Sequence, residues 1–226
     1  MHLQRTLDQL KKKILDLGTA AEESLRDAVK ALEQRDAVLA GRVIDNDVIV
    51  DEMEVDIEEE CLKILALYQP VAADLRFIVA ILKINSDLER VGDIAVNIAE
   101  RAMFVATQKP VQINFDFHEM AQKTQTMLTK SLDALVNIDL ALARQVLIDD
   151  DEVDAMNRDM YIRVQEAIRK NPDDLESLIH LLSISRHLER IADQATNIAE
   201  DVIYMAGGEI VRHRIEEYTS SFHSAP

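Results

Sequence analysis

The sequence predicts an all-α protein made of two tandem, pseudo-symmetric three-helix bundles, and three observations carry that prediction. Only 5 Gly, 4 Pro and 4% aromatic residues interrupt a chain rich in Ala, Leu, Ile and charged side chains, which leaves few turn breakers and few strand-favouring rings. Apolar residues recur at three- and four-residue intervals, the period of an amphipathic helix. The chain also repeats itself about 100 residues on, so one supersecondary unit occurs twice.

The repeat is visible in two blocks that keep their order. Asp36 to Asp47 aligns with Asp139 to Asp150 at an offset of 103, and Asp51, Met53 and Asp56 continue the match as Asp154, Met156 and Asp159. Leu88-Glu89-Arg90-Val91-Gly92-Asp93-Ile94-Ala95-Val96-Asn97-Ile98-Ala99-Glu100 then aligns with Leu188 to Glu200 at an offset of 100, with nine of thirteen positions identical. A change of three in the offset between blocks is what one duplicated unit with a single length difference produces.

In the first unit the spacing predicts helices over 3–34, 36–67 and 71–107; in the second, over 116–137, 139–169 and 173–206. Residues 1–108 then form the first repeat, 109–206 the second and 207–226 a C-terminal tail. Tyr68-Gln69-Pro70 ends the second helix, because proline disfavours the helical region for the residue before it and has no N–H to donate. Asn171-Pro172-Asp173-Asp174 does the same in the second unit and sets carboxylates at a helix start, where the dipole favours them. Lys109-Pro110 and the run to Asp116 join the units; Gly207-Gly208 closes the sixth helix, and Ser220 to Pro226 is expected to fray. Short connections between antiparallel helices give a three-helix bundle per unit, without fixing whether the two lie side by side or end to end.

Lys plus Arg number 25 against 42 Asp plus Glu, a formal charge of −17 that repels phosphodiester backbones and argues against nucleic-acid binding. The lone cysteine, Cys61, cannot form an internal disulfide and is expected to be a buried, inert thiol. The longest apolar runs fall far short of the ~20 residues of a bilayer crossing. Lys11, Lys12 and Lys13 are followed by no signal-type apolar stretch, so a cytoplasmic location is expected.

The candidate site is an acidic helix stripe. With Glu89 at zero on a wheel of about 100° per residue, Asp93 falls near 40°, Asn97 near 80° and Glu100 near 20°. Leu88, Val91, Ala95 and Ile98 occupy the opposite flank, so the carboxylates are expected to point away from their own bundle. Glu189, Asp193, Asn197 and Glu200 repeat the pattern. Asp47, Asp51, Glu54 and Glu58 share a face of the preceding helix, echoed by Asp150 and Asp154. Like charges four residues apart cost a helix a few tenths of a kcal/mol per pair, a repulsion that cations relieve. Oxygen donors suit Mg²⁺, Ca²⁺, Mn²⁺ or iron better than a thiolate-dependent zinc site, although zinc accepts carboxylates. The competing reading is an ordinary solvated face screened by Arg90 and Arg190; the in-step repetition of the whole set weighs against it.

No histidine follows a glutamate at the E-x-x-H spacing of ferritin-like di-iron sites, and there is no phosphate-binding glycine loop, HExxH or nucleophile elbow. His187 lies two residues from Glu189 and is expected to be a polar surface residue, with Asp87 as its counterpart.

The twice-repeated E-R-x-x-D-x-x-x-N-I-A-E, the segment Gln69-Pro70-Val71-Ala72-Ala73-Asp74-Leu75-Arg76 and the D-x-x-x-D of the second and fifth helices closely resemble the PhoU family of phosphate-uptake regulators, from about Leu3 to Met205. The resemblance implies paired three-helix bundles carrying multinuclear metal clusters, iron or zinc, on the repeated acidic motifs, with Glu89, Asp93, Asn97, Glu189, Asp193 and Asn197 as principal ligands. On the same resemblance Asp47, Asp51, Asp150 and Asp154 are supporting candidates; Glu100 and Glu200, placed on the stripe by the wheel, are weaker candidates. It further implies a homodimeric negative regulator of phosphate-starvation signalling that links the ATPase subunit of a phosphate ABC transporter to a membrane sensor histidine kinase. Asn171-Pro172-Asp173-Asp174-Leu175-Glu176 departs from the pattern, since no arginine there matches Arg76. Against this non-catalytic adaptor stand two alternatives: a two-metal phosphohydrolase, which needs an inward cavity and a further acid or base, and a metal-independent helical scaffold.

Overall fold

The computed structural model describes residues 2–207, and the expectations for the tail beyond Gly207 lie outside them. Helix α1 spans His2–Gln34, α2 Ala37–Tyr68, α3 Ala72–Thr107, α4 Phe117–Asn137, α5 Leu140–Lys170 and α6 Leu175–Gly207, within one or two residues of the positions the periodicity predicts. The sixth differs most: Pro172–Asp174 forms a separate 3₁₀ turn before α6 begins. Proline opens that turn, and Asn171 Nδ2 donates to Asp174 Oδ2 at 2.6 Å, tightening it.

Burial follows the three-four spacing. In α1, Leu7, Leu10, Ile14, Leu17, Ala21, Leu25, Ala28 and Leu32 are all buried, one continuous stripe against α2 and α3. The two units use the same joints. Arg35 and Ile138 take left-handed backbone at φ 53° and 51°, ending α1 and α4. The next residue in each unit is an aspartate that caps the following helix. Asp36 accepts from the amides of Val38 and Leu39 at 2.9 and 3.0 Å, and Asp139 from those of Ala141 and Leu142 at 2.9 and 3.0 Å. Arg35 also donates to the carbonyl of Val105 at 2.6 Å and to that of Gln108, so the end of α1 secures the last turn of α3.

Helices α1, α2 and α3 pack mutually, as do α4, α5 and α6, and the bundles lie side by side through an α3–α6 seam and a smaller α1–α4 contact. At the smaller contact, Gly18 leaves room for Leu132, whose Cδ atoms would stand 2.9 Å from any added Cβ. In the main seam α3 and α6 run antiparallel: Lys83 Nζ meets Asp201 Oδ1 at 3.0 Å, and Phe104 stacks on His180 with centroids 3.9 Å apart. Because α3 and α6 touch both their own bundle and the other one, they carry the most buried residues of the six helices. Cys61 is buried, and burial with nearby Glu60 and Glu58 pushes its thiol up to about 12, so it is inert. None of the described helices is long and apolar enough to cross a membrane.

Candidate metal-binding faces

The first face is built where α2 crosses α3. Gly92 permits the crossing: a Cβ there would stand 3.0 Å from Val50 Cγ1 and 3.3 Å from Asp47 Oδ1. The Asp47 carboxylate therefore lies against α3 next to Asp93. Burial and the charges of Asp51 and Asp93 hold its proton more tightly than usual. Glu89, one turn before Asp93, is likewise raised by burial, then by Asp93, Asp51 and Glu54, with Arg90 opposing. Glu54 is raised by burial, Glu58 and Asp51. Six acidic groups on two helices thus share one field, which Arg90 opposes at Glu89.

The second face repeats this on α5 and α6 in a drier setting. Asp150, the counterpart of Asp47, is pushed up to about 7 by burial first, then by Asp154, Asp193, Asp151 and Glu189. Its Oδ1 is buried without a hydrogen-bond partner. Glu189 and Asp193 are both raised, by burial and by their acidic neighbours, against the opposing charge of Arg190. Ala192, fully buried, stands where Gly92 stands in the first unit.

The faces do not point away from their own bundles, as the wheel predicts. They sit along the α2–α3 and α5–α6 crossings, with Glu89 and Glu189 half-buried and Asp93 and Asp193 exposed at the rim. A wheel gives directions about one axis; it does not say which neighbour covers which flank. Asn97 is half-buried and its Nδ2 donates to the Asp93 carbonyl at 2.7 Å; Asn197 is half-buried one turn beyond Asp193. Glu100 pairs outward with Arg101 at 2.9 Å, and Glu200 is half-buried.

His187 corrects a second expectation: it is 8% exposed, not a surface residue. It lies on the flank of α6 that meets the α3 seam. Burial and the charges of Arg101, Arg190 and Arg186 lower it to about 4, so it is neutral, and neither ring nitrogen has a hydrogen-bond partner. Sequence reasoning also passed over Gly92 as the spacer of the first face. Its signal was the small residue at the same place in both copies of the repeat.

The chemistry of the donors fits a hard cation: carboxylate oxygens, mutual repulsion in both units, and one buried oxygen left without a donor. Among the described residues no three His, Cys, Asp or Glu side chains are drawn together closely enough to hold an ion as they stand. The carboxylates of each face are divided between two helices.

A family model described as the PhoU domain matches the chain twice, over residues 14–102 and 117–202. The phosphate-specific transport system accessory protein PhoU homolog of Aquifex aeolicus is 38% identical over 95% of this chain and 97% of its own length. Homolog 1 of Thermotoga maritima is 33% identical over 100% of this chain and 97% of its own. The crystal structure of PhoU from Pseudomonas aeruginosa superposes with a TM-score of 0.87 at 34% identity, covering 91% of this chain and 99% of that one. The phosphate transport system regulatory protein PhoU from Streptococcus pneumoniae does so at 0.83 and 30%, covering 92% and 99%.

Proposed function

Because the chain belongs to the PhoU family, we propose that it is a non-enzymatic accessory of phosphate transport that binds metal ions on its two acidic faces and acts as a regulatory adaptor. The supporting observation is the paired build of those faces. Asp47, Asp51, Glu89 and Asp93 in one unit, and Asp150, Asp154, Glu189 and Asp193 in the other, repel one another across two helices that the core holds together. Asn97 and Asn197 extend the oxygen set by one turn. Iron or zinc fits the family resemblance, and Mg²⁺, Ca²⁺ or Mn²⁺ the ligand type. A bound cation removes the repulsion and draws the carboxylates inward, converting an anionic surface into one that an acidic or basic partner reads differently.

In this reading the partners are the ATPase subunit of a phosphate ABC transporter and a membrane sensor histidine kinase, coupled through the cytoplasmic protein, as a homodimer, to restrain phosphate-starvation signalling. The test begins with elemental analysis of protein purified without added metal, comparing wild type with Asp93→Ala plus Asp193→Ala. Metal bound to the wild type and lost from the variant is expected, with no phosphatase turnover by the loaded protein. Pull-downs from phosphate-replete and starved cells then compare the same two proteins for transporter and kinase. Protein that takes up no divalent ion under any loading condition overturns the metal reading. Phosphate-ester turnover abolished by Glu89→Ala overturns the adaptor.

A further inference from the structure

Helix α2 carries apolar residues on two opposite sides. Val43, Val50, Ile57 and Ile64 recur every seven residues and are buried where α2 packs on α1 and α3. Val48, Val55 and Leu62 also recur every seven residues, and they are 55%, 53% and 55% exposed. On a wheel of about 100° per residue the two series lie roughly half a turn apart, so the second stripe faces squarely out of the bundle. From Val48 to Leu62 it runs about 21 Å along the helix, the length of roughly four turns.

The margins of this stripe carry one sign of charge. Residues 43–62 contain nine Asp or Glu and no Lys or Arg. Asp51 and Glu58 border the stripe on the side of the first acidic face, Glu52 and Glu59 on the other, and all four are exposed. Lys63 reaches only Glu59 and Glu60, at 3.7 Å each, and Lys13 is taken by Asp56 at 2.6 Å. Among the described residues no ion pair engages Asp51, Glu52 or Glu58. An apolar strip edged by carboxylates on both sides matches one kind of occupant: a helix with apolar residues on one face and Lys or Arg along both margins. Two copies of α2 laid together would set carboxylates against their own kind, and an anionic membrane surface meets the same repulsion. Helix α5 offers a different setting. The positions matching Val48, Val55 and Leu62 are Asp151, Arg158 and Gln165; Ile148, Tyr161 and Ile162 are exposed there instead, beside Arg158 and Arg163, which pair with Asp154 and Asp159.

We propose that the outer face of α2 is a docking surface for a basic amphipathic helix of a partner protein. Apolar residues of that helix seat on Val48, Val55 and Leu62, while its lysines or arginines pair with Asp51 and Glu58 on one margin and with Glu52 and Glu59 on the other. Packed helix axes stand roughly 8–10 Å apart, a gap that those long side chains span. To follow the stripe from end to end the partner helix is at least about 15 residues long. The surface goes beyond the metal reading, since no metal ion takes part in the contact.

The test titrates the full chain, in EDTA and about 0.15 M salt, against a fluorescein-labelled peptide of Leu, Ala and Lys, about 18 residues long, with its leucines on one helical face and lysines along both margins. Anisotropy is expected to show binding about tenfold tighter than that of a shuffled peptide of the same composition, which keeps the charge and loses the apolar face. Val48→Asp with Leu62→Asp is expected to weaken binding about tenfold although it adds negative charge, and Ile148→Asp with Ile162→Asp to leave it within about twofold. Glu52→Lys with Glu59→Lys is expected to weaken the lysine peptide about tenfold and to gain affinity for a version with glutamate on the facing margin, a gain that an unfolded variant cannot give. A shuffled peptide that binds as tightly, or an equal loss from the α5 substitutions, overturns the proposal. So does a dimer of the chain that Val48→Asp with Leu62→Asp dissociates in sedimentation velocity, which assigns the stripe to a second copy.

Discussion

Asp150 keeps its proton in the folded chain up to about pH 7, whereas its ordinary value is 3.8. Between those values the folded state of the metal-free protein binds more protons than the unfolded one. Stability therefore falls as pH rises from about 4 to about 7 and is level above. Asp47, Glu54, Glu89, Glu189 and Asp193 are shifted the same way and add slope of the same sign. Asp150→Asn should flatten the profile and stabilise metal-free protein at pH 8 by about 1 kcal/mol, a figure that allows for partial exposure. Urea midpoints at pH 5 and pH 8 check this, and an unchanged slope would remove Asp150 from the account. Another buried acid behaves differently. The Asp201 side chain is 3% exposed and meets Lys83, so Lys83→Met leaves a buried carboxylate with less support and should cost about 1–3 kcal/mol. Asp201→Asn keeps an acceptor for Lys83 and removes the buried charge, so denaturant unfolding should rank it as the milder change. Neither the depth of Asp150 nor that of His187 was legible in the sequence, because both depend on which helix covers a flank, and periodicity carries no record of that.

Helices were legible where the chain itself marks their ends. Pro70 and Pro172 stop propagation whatever surrounds them, and the periodic stripes of α1, α3 and α6 needed only the right period to be found. The aspartate caps give this a measurable form. Asp36 and Asp139 each satisfy two amides at a helix start, so Asp36→Ala and Asp139→Ala should each cost about 1 kcal/mol. The caps belong to different bundles and share no partner, so the double variant should lose the sum to within about 0.5 kcal/mol. A deficit well beyond the sum in denaturant titrations would mean that the caps report on the α3–α6 seam and not on their own helices. The direction of the acidic stripe was not legible in the same way. Glu89 and Asp93 do share one face of α3, as the wheel gives, but α3 packs against α1, α2 and α6, and it is the α2 side that this face meets. Gly92 sets the depth of that groove by admitting Val50 and Asp47, a packing fact that the sequence carries only as a small residue at both copies of one position.

On the scale of the molecule, two acidic faces add to a chain already at −17, and diffuse charge and specific binding predict different responses to ions. Monovalent salt screens over about 10 Å at 0.1 M and should raise the Tm of the metal-free protein gradually, without saturation, in wild type and variants alike. A cation held by the faces stabilises by mass action instead: at a hundred times its Kd, one site contributes about 2.7 kcal/mol, roughly 5–10 °C for a chain of this size. Each bundle brings its own face on its own helix pair, so binding should divide between the halves. Asp93→Ala should abolish the uptake of the first face and Asp193→Ala that of the second, leaving each single variant with the stoichiometry of one half and the double variant with none. Calorimetric titration with Mn²⁺ at fixed ionic strength, followed by thermal scans, separates the two responses. If the double variant gains as much Tm from Mn²⁺ as the wild type, the ions are answering the bulk charge, and the duplicated E-R-x-x-D pattern holds no ion of its own.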